Sequence, residues 1–559
     1  MASTYDAIFV GSGISSLIGA SILAKAGWSV GVFERNSWLG GNIRSGEITE
    51  PGFIHDLYSA WHPLFIAGEG YKLLKTDLAA RGVEYLNTEY PAAGLLPDGT
   101  AAFISTEHRK NHDHFEQLAA GDGAAWDRAV AALMARSDVA FGLMSAELWS
   151  MAGLGIMAKA TRRIGVRGML EFTSELFSTS RDWLQTTFRS PAIHGLLAPW
   201  VLHTGHGPDA ATSGFMTALI AVTLELIGMP IPRGGAARLV DGFSKLLCDL
   251  GAELHTDASV EQVIVRGGKV AGVRTAQGEF HARRAVICCV TPQQLYLKML
   301  DRAVVPDWVA ANASRFRYGR GDMQIHLALS EPPQWPGGDE RFLRTAIVHV
   351  SDGINGVSRA VNEADRGLLP ADPTVVVGQP TAIDKSRAPE GRWIIWIQLQ
   401  EMPNHPIGDA AGEIQSTDGT WSPDLRERYA DRVIAKLARQ IPNLLGAIQK
   451  RVVLSPADLE AANPNLVGGD PYAGAPTPNQ FFIFRPMPGV PRHHTPIPGL
   501  YHIGASTHPG AGLHGASGVL VAQALLGAGK VKRACASPSA QGREIGSFRV
   551  EPRILTPSA

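Results

Sequence analysis

The chain has 559 residues, 45% of them hydrophobic and 18% charged, with a formal net charge of −1. That is enough apolar chain to bury a large core in two or more lobes, while a charge so near zero gives no electrostatic basis for nucleic-acid binding. Four cysteines in so long a chain argue against a disulfide-stapled secreted scaffold, and no metal site is expected.

Residues 6–45 carry the strongest signal. The run Asp6-Ala7-Ile8-Phe9-Val10 reads as a buried strand entering the glycine turn Gly11-Ser12-Gly13, and Ile14, Ser15 and Ser16 lead into a Leu/Ala-rich helix, Leu17 to Ala26. Gly11 permits the turn and Gly13 lets backbone approach a pyrophosphate, while the amides and dipole of the helix start favour phosphate charge. Ser16 stands where a third glycine would serve helix–strand packing, and Gly19 and Ala20 keep that face thin. A second strand from Val30 ends in Glu34, 23 residues after Gly11, near the spacing at which an acid accepts the hydroxyls of an adenosine ribose. Arg35, the pair Gly40-Gly41, Asn42, Arg44 and Ser45 follow. This second backbone approach with an arginine beside it exceeds what a nicotinamide fold needs and suits FAD, whose pyrophosphate runs extended over the first helix.

Residues 66–229 read as mainly helical. Within them, Ala140 to Ala158 is an apolar, Met-rich stretch interrupted by Glu147 and followed by Lys159, Arg162, Arg163 and Arg167. It fits a peripheral membrane surface helix that admits a lipid or a core helix of a substrate lobe with a solvated basic end. The core reading is preferred, because apolar helical stripes usually face a core. Neither this stretch nor Gly214 to Met229 is a clean span of about 20 apolar residues. Pro232-Arg233-Gly234-Gly235 opens a helix, and Val260–Val265, Val270–Val273 and Ala285–Ile287 form a β-meander around the Gly267-Gly268 turn. Pro230 and Pro232 argue against a strand before Gly234-Gly235, so no second nucleotide fingerprint is present. Within 301–489, Met323–Leu329 and Trp393–Leu399 alternate as strands of a sheet with one face toward a cavity. Asn463 to Pro498, rich in Pro and Gly, threads back toward the nucleotide site. Near the C-terminus a strand, Gly499 to Ile503, ends at Gly504-Ala505 and leads through Thr507-His508-Pro509-Gly510, Leu513 and His514 to an apolar helix after Ala516. A glycine-rich helix start of this kind, aimed at the flavin, stabilises negative charge on its reduced ring.

The pattern G-x-G-x-x-[GS]-L…E-R-x-x-x-x-G-G-x-x-R-S…P-G-F-x-x-D resembles the FAD-dependent phytoene desaturase, carotenoid isomerase and amine oxidase superfamily. The T-H-P-G-x-G run is most similar to its phytoene-dehydrogenase-like branch, often labelled pyridine nucleotide-disulfide oxidoreductase domain proteins. The resemblance spans residues 5–527. It implies an α/β fold, in which a discontinuous Rossmann-type FAD-binding domain (1–65, 230–300, 490–529) carries a mixed α+β substrate domain (66–229, 301–489). Residues 530–559 read as a mobile tail. It also implies that the segment Asp56 to Pro63, including Ala60, Trp61 and His62, passes beside the isoalloxazine, that Val260 faces the adenine end, and that FAD is bound non-covalently. Two departures stand out: Ala505 replaces an aspartate that in many relatives holds the ribityl chain, and no C-x-x-C pair supports a redox disulfide. Cys288 and Cys289 are adjacent, on opposite faces of a strand.

The implied function is an FAD-dependent dehydrogenase or desaturase moving hydride from an apolar, unsaturated substrate to FAD, with oxygen, a quinone or another acceptor completing the cycle. A flavin amine oxidase, a redox-neutral isomerase and a non-catalytic flavoprotein scaffold are the alternatives. His62 and His508 are the acid/base candidates, since histidine titrates near neutrality. His514 is expected to meet the flavin through its backbone, and Gln480, Phe481, Phe482 and Phe484 line either the substrate side or the core. With no signal peptide ahead of the first strand, the expected location is cytoplasmic.

Overall fold

A computed structural model describes residues 3–415 and 418–535. Two seven-stranded sheets organise it. The first begins with β1 (Thr4–Val10), which enters α1 (Ile14–Lys25) and returns as β2 (Val30–Phe33). β1 runs parallel to β2 on one side and to Gly278–Cys288 on the other, and β2 runs parallel to Glu253–His255. The strand Gly278–Cys288 is the last of the meander, which includes Val260–Arg266 and Lys269–Thr275, and it also carries Leu500–His502. Fully buried β-branched and aromatic side chains such as Ile8, Phe9 and Val32 are what parallel strands covered on both faces require. The two-residue turn at Gly267-Gly268 has φ of +58° and +74°, the left-handed pair of a tight hairpin.

The second sheet is ordered Ile448–Leu454, Gly321–Leu329, Trp393–Met402, Val375–Gly378, Thr345–Val350, Tyr90–Leu95 and Ala101–Ile104. Its last two strands form a hairpin within 66–229, so that segment is not helical throughout. The alternation in 323–329 and 393–399 is realised as two faces. Met323, Ile325, Leu327, Ile395, Ile397 and Leu399 pack with the helix Pro423–Ala438, while the intervening Gln324, His326, Ala328 and Ile394 meet the segment of Phe53, His55 and Tyr58. Ile231–Pro232 pairs only briefly, with Tyr85–Leu86 and outside the parallel sheet, as its prolines foretell.

The preferred core reading of 140–158 is corrected. One helix ends at Met144 and another spans Met151–Leu176, with a break at Gly165 (φ +73°). Met151 is 82% exposed, Leu154 63%, Val166 70% and Leu170 67%. The side that packs is narrow: Ala160 and Phe172, with Val139 of the preceding helix. Among the described residues no helix is long and apolar enough to cross a membrane. The tail segment starts inside a helix, Ala528–Cys535, and 536–559 lie outside the described residues.

The two sheets are fastened by one buried charge cluster. Asp56 and Arg387 are both fully buried and meet at 2.9 Å. Arg387 also reaches Asp384 and the Ile54 carbonyl. The second Asp56 oxygen accepts from Ser45 Oγ and from the Ala236 amide ahead of the helix Ala237–Asp249. Truncating one partner strands the other charge in the interior, which costs about 3–5 kcal/mol. Arg387→Ala is therefore expected to lower unfolding free energy by that amount in a denaturant titration.

Candidate functional site

Three glycine segments converge at the end of β1. Gly11 has φ +83°, and a Cβ there would lie 3.2 Å from the Cys289 carbonyl oxygen. A Cβ on Gly41 would lie 3.5 Å from Gly13 Cα, and one on Gly504 would lie 3.1 Å from Cys289 Sγ. The start of α1, at Gly13, has no side-chain cap. The Ser16 amide bonds the Cys289 thiol, and the first-turn amides of Ile14 and Ser15 are left for an external acceptor. Glu34 is buried: one carboxylate oxygen accepts from Ser12 N and Oγ and the other from the Asn36 amide. Ser12 Oγ in turn accepts from Gly40 N at 2.9 Å. A ribose at Glu34 would share these oxygens with the loop. Ala258 N donates to the Glu34 carbonyl, which brings the meander start at Val260 to the same end.

The second segment is held by its own contacts. Asn42 Oδ1 accepts from Asn463 Nδ2, Arg44 stacks on Trp38 at 3.8 Å, and Ser45 binds Asp56. Arg35 is exposed. The C-terminal segment closes the cradle. Gly504 N donates to Ser517 Oγ, and Ser517 Oγ donates to Ser15 Oγ at 2.9 Å. Ala505 is half-buried and supplies no carboxylate, and Leu513 packs on the core of the first sheet. His514 spans Gly510 O and the amide of Ala516, so it is a neutral brace for the loop. Glycines where backbones touch, an uncapped helix start and an acid at the strand end fit a flavin dinucleotide.

The predicted acid/base histidines are both present at this end and both buried. His62 shares a 2.8 Å hydrogen bond with Tyr85 OH, and burial pushes its pKa to about 3. His508 donates Nε2–H to the Leu143 carbonyl, and burial lowers it to about 4. Its carbonyl accepts from His493, which is paired with Glu147, so this histidine ties the C-terminal loop to the connection ahead of the exposed helix. Gln480 grips the backbone of Arg317 from both sides, Phe481 packs edge-on to His206, and Phe484 is exposed.

Sequence reading identified the strands opposite these residues but not their site-facing side chains. On one face Asp322, Gln324 and His326 recur at every second position, beside Trp396, Gln398 and Gln400 of the next strand, with Gln324 opposite Gln398 and His326 opposite Trp396. One Asp322 oxygen accepts from Gln398 at 2.9 Å and Gln324 at 3.2 Å, and the other has no protein partner. Desolvation raises this carboxyl to about 7. Gln324 also donates to the Tyr58 carbonyl, His326 stands edge-on to His55, and the Trp61 ring lies against Gly378 and Trp396. The polar wall therefore faces the segment 55–62. The signal was polar residues two apart within mainly apolar strands: Asp322, Gln324 and His326 in one, Gln398 and Gln400 in the other.

A family model for flavin containing amine oxidoreductases matches residues 14–526. The chain is 25% identical, over 92% of each chain, to pyridine nucleotide-disulfide oxidoreductase domain-containing protein 2 of Rattus norvegicus. It is 24% identical, over 90% of each chain, to a zeta-carotene-forming phytoene desaturase of Myxococcus xanthus. In fold it is similar to the crystal structure of an oxidoreductase from Methanosarcina mazei (TM-score 0.59, 15% identity, covering 93% of this chain and 99% of that one). The cysteine arrangement bears on the first name: Cys288 packs in the core on one side of the first sheet and Cys289 against the other, and both are free thiols.

The tightest point of the cradle is a helix crossing. A Cβ on Gly518 would lie 2.0 Å from the Ser15 carbonyl oxygen. Gly518→Ala must push the two helices apart, at about 1–3 kcal/mol or more. The purified variant is expected to retain less flavin, read from its visible absorbance, and to melt at lower temperature.

Proposed function

The chain belongs to the flavin containing amine oxidoreductase family, and from that premise we propose that it is an FAD-dependent dehydrogenase of the desaturase type, acting on a largely apolar chain. When bound, FAD would supply the hydride acceptor, with an external oxidant taking up the electron pair to complete the cycle. The observation that carries the reading is the polar wall centred on Asp322, opposite residues 55–62. Forming a C=C bond removes one hydrogen as hydride and its neighbour as a proton. The residue proposed to take the proton is Asp322, with Gln324 and Gln398 fixing its orientation and leaving one oxygen toward the substrate. A carboxyl near 7 is matched to that task at neutral pH, whereas histidines held at about 3 and 4 are weak bases. Trp61 and Trp396 shape the apolar side of the site. His62 and His508 then act as supports, the first for the segment beside the ring and the second for the C-terminal loop.

Substrate supply is proposed to occur at a bilayer. Met151 and Leu154 are exposed with Lys159 and Arg162 ahead of the Gly165 break, and Val166 with Arg167 after it. Trp149 joins the start of the helix ahead of the break to the carbonyl of Ile483, itself exposed. Apolar side chains among cations complement an anionic membrane surface. His508 links the flavin loop to the chain leading into this helix.

The first experiment follows flavin absorbance of the holoprotein anaerobically, with detergent-solubilised polyenes against primary and secondary amines. Bleaching by a polyene is expected; bleaching by amines alone would overturn the reading in favour of an amine oxidase. In Asp322→Asn, kcat/KM is expected to fall about 10²–10⁴-fold and to lose a limb that rises with pH through about 7 in the wild type. The sign for stability is opposite. Unfolded, this carboxyl ionises near 4, so between about pH 4 and 7 the folded state holds the extra proton and the wild type loses stability as pH rises. The asparagine variant should not show that loss in pH-dependent melting. Separately, Met151→Glu/Leu154→Glu is expected to abolish flotation with vesicles containing anionic lipid while leaving bound flavin unchanged.

A further inference from the structure

A concavity adjoins the ends of the two strands that carry the polar wall, where Arg320 and Met402 line it. It has a volume of about 740 Å³ and is bounded by 205–211, 317–320, the helix carrying Val361 and Asp365, 402–405 and 475–478. That is the size of a small-molecule site. Its apolar lining comes from Val361, Ala364, Met402 and the prolines at 403, 476 and 478. Its charged lining residues are Asp209, Asp365, Arg317 and Arg320. Asp209 is taken by Arg181 and Ser358, and Asp365 by Arg320. Arg317 has no carboxylate partner among the described residues; its guanidinium makes only 3.4 Å contacts with Thr477 and Asn479. Its backbone is nonetheless rigid: Gln480 accepts from its amide at 3.0 Å and donates to its carbonyl at 2.7 Å. Arg320 Nε and Asn404 Oδ1, on two further lining residues, are buried without a protein partner.

We propose that this cleft binds the oxyanion head of an amphipathic substrate, with Arg317 as the charge that selects it and the Pro/Met/Val wall taking the adjoining methylenes. The inference rests on the desaturase reading and names the substrate class: a long apolar chain ending in a carboxylate or a phosphate. Tyr472 stands between cleft and wall. Its ring lies against Gly205 at the cleft, with 3.0 Å to the position of a Cβ there. Its hydroxyl donates to the Leu202 carbonyl and accepts from Gln400 of the polar face. A chain held by its head in the cleft would pass Tyr472 to reach Asp322. A guanidinium without a carboxylate partner is matched to an oxyanion in charge and fork geometry, and a wholly apolar hydrocarbon would leave it unused.

The test is calorimetric titration of oxidised holoprotein with octanoate, octyl phosphate and octanol, each below its aggregation range, for the wild type, Arg317→Gln and Arg315→Gln. Arg315, two residues away, is exposed as Arg317 is but lies outside the cleft lining. One of the anions is expected to bind saturably at one site, at least about tenfold tighter than octanol. Arg317→Gln should remove about tenfold of that affinity and Arg315→Gln almost none. Which anion binds identifies the head group. Octanol binding as tightly as both anions, equal losses in the two variants, or an unchanged Arg317→Gln would each overturn the proposal. Because binding is measured without turnover, failure of the redox reading would appear separately, as a flavin that no substrate bleaches.

Discussion

A single carboxylate, Asp56, fixes the relation between the two halves of this molecule. Its oxygens are divided between Arg387, from the chain entering the second sheet, and Ser45 with the Ala236 amide, from the nucleotide half. In the dry interior such a cluster tolerates little change in geometry, since every displaced hydrogen bond exposes an unscreened charge. Residues 57–62 continue directly from Asp56, so the register of this short segment against the polar wall is set by the ion pair. Net stabilisation is not its main contribution, because apolar replacements of buried pairs are often as stable. What it supplies is position: the wall of one sheet is held against the glycine cradle of the other.

The polar wall runs against the ordinary rule for interiors. Asp322, Gln324, His326 and Gln400 each keep a buried polar atom with no protein partner, where most buried groups are satisfied. The opposite faces of the same strands are filled with aliphatic side chains. A sheet whose sole task was stability would be apolar on both buried faces. Concentrating unsatisfied groups on the one face that meets the nucleotide half is the pattern expected of a site that trades stability for chemistry.

The nucleotide half was legible in the sequence because its information is local: glycines at fixed offsets, a strand before them, a helix after, an acid at the next strand end. The meander was equally plain from its glycine turn and β-branched alternation. The hairpin of 90–104 escaped because strands such as Tyr-Pro-Ala-Ala-Gly-Leu lack β-branched residues and take their stability from partners distant in the chain. Asp322 escaped for a related reason: alternation shows that a strand has two faces, and only register with Trp393–Met402 shows which face meets residues 55–62. The exposed helix was misjudged because a stripe of methionine and leucine marks a face that needs cover without naming what covers it.

The bond between Ser15 and Ser517 joins residues 502 positions apart, and the Gly518 contact lies beside it. Both helices whose starts form the cradle are therefore needed to complete it, and one is made long before the other. During synthesis α1 can form early, but the crossing that closes the site does not exist until the helix Ala516–Leu526 has left the ribosome. Completion of the cradle thus waits for that segment, and a chain cut short before residue 504 retains the complete N-terminal fingerprint while lacking it.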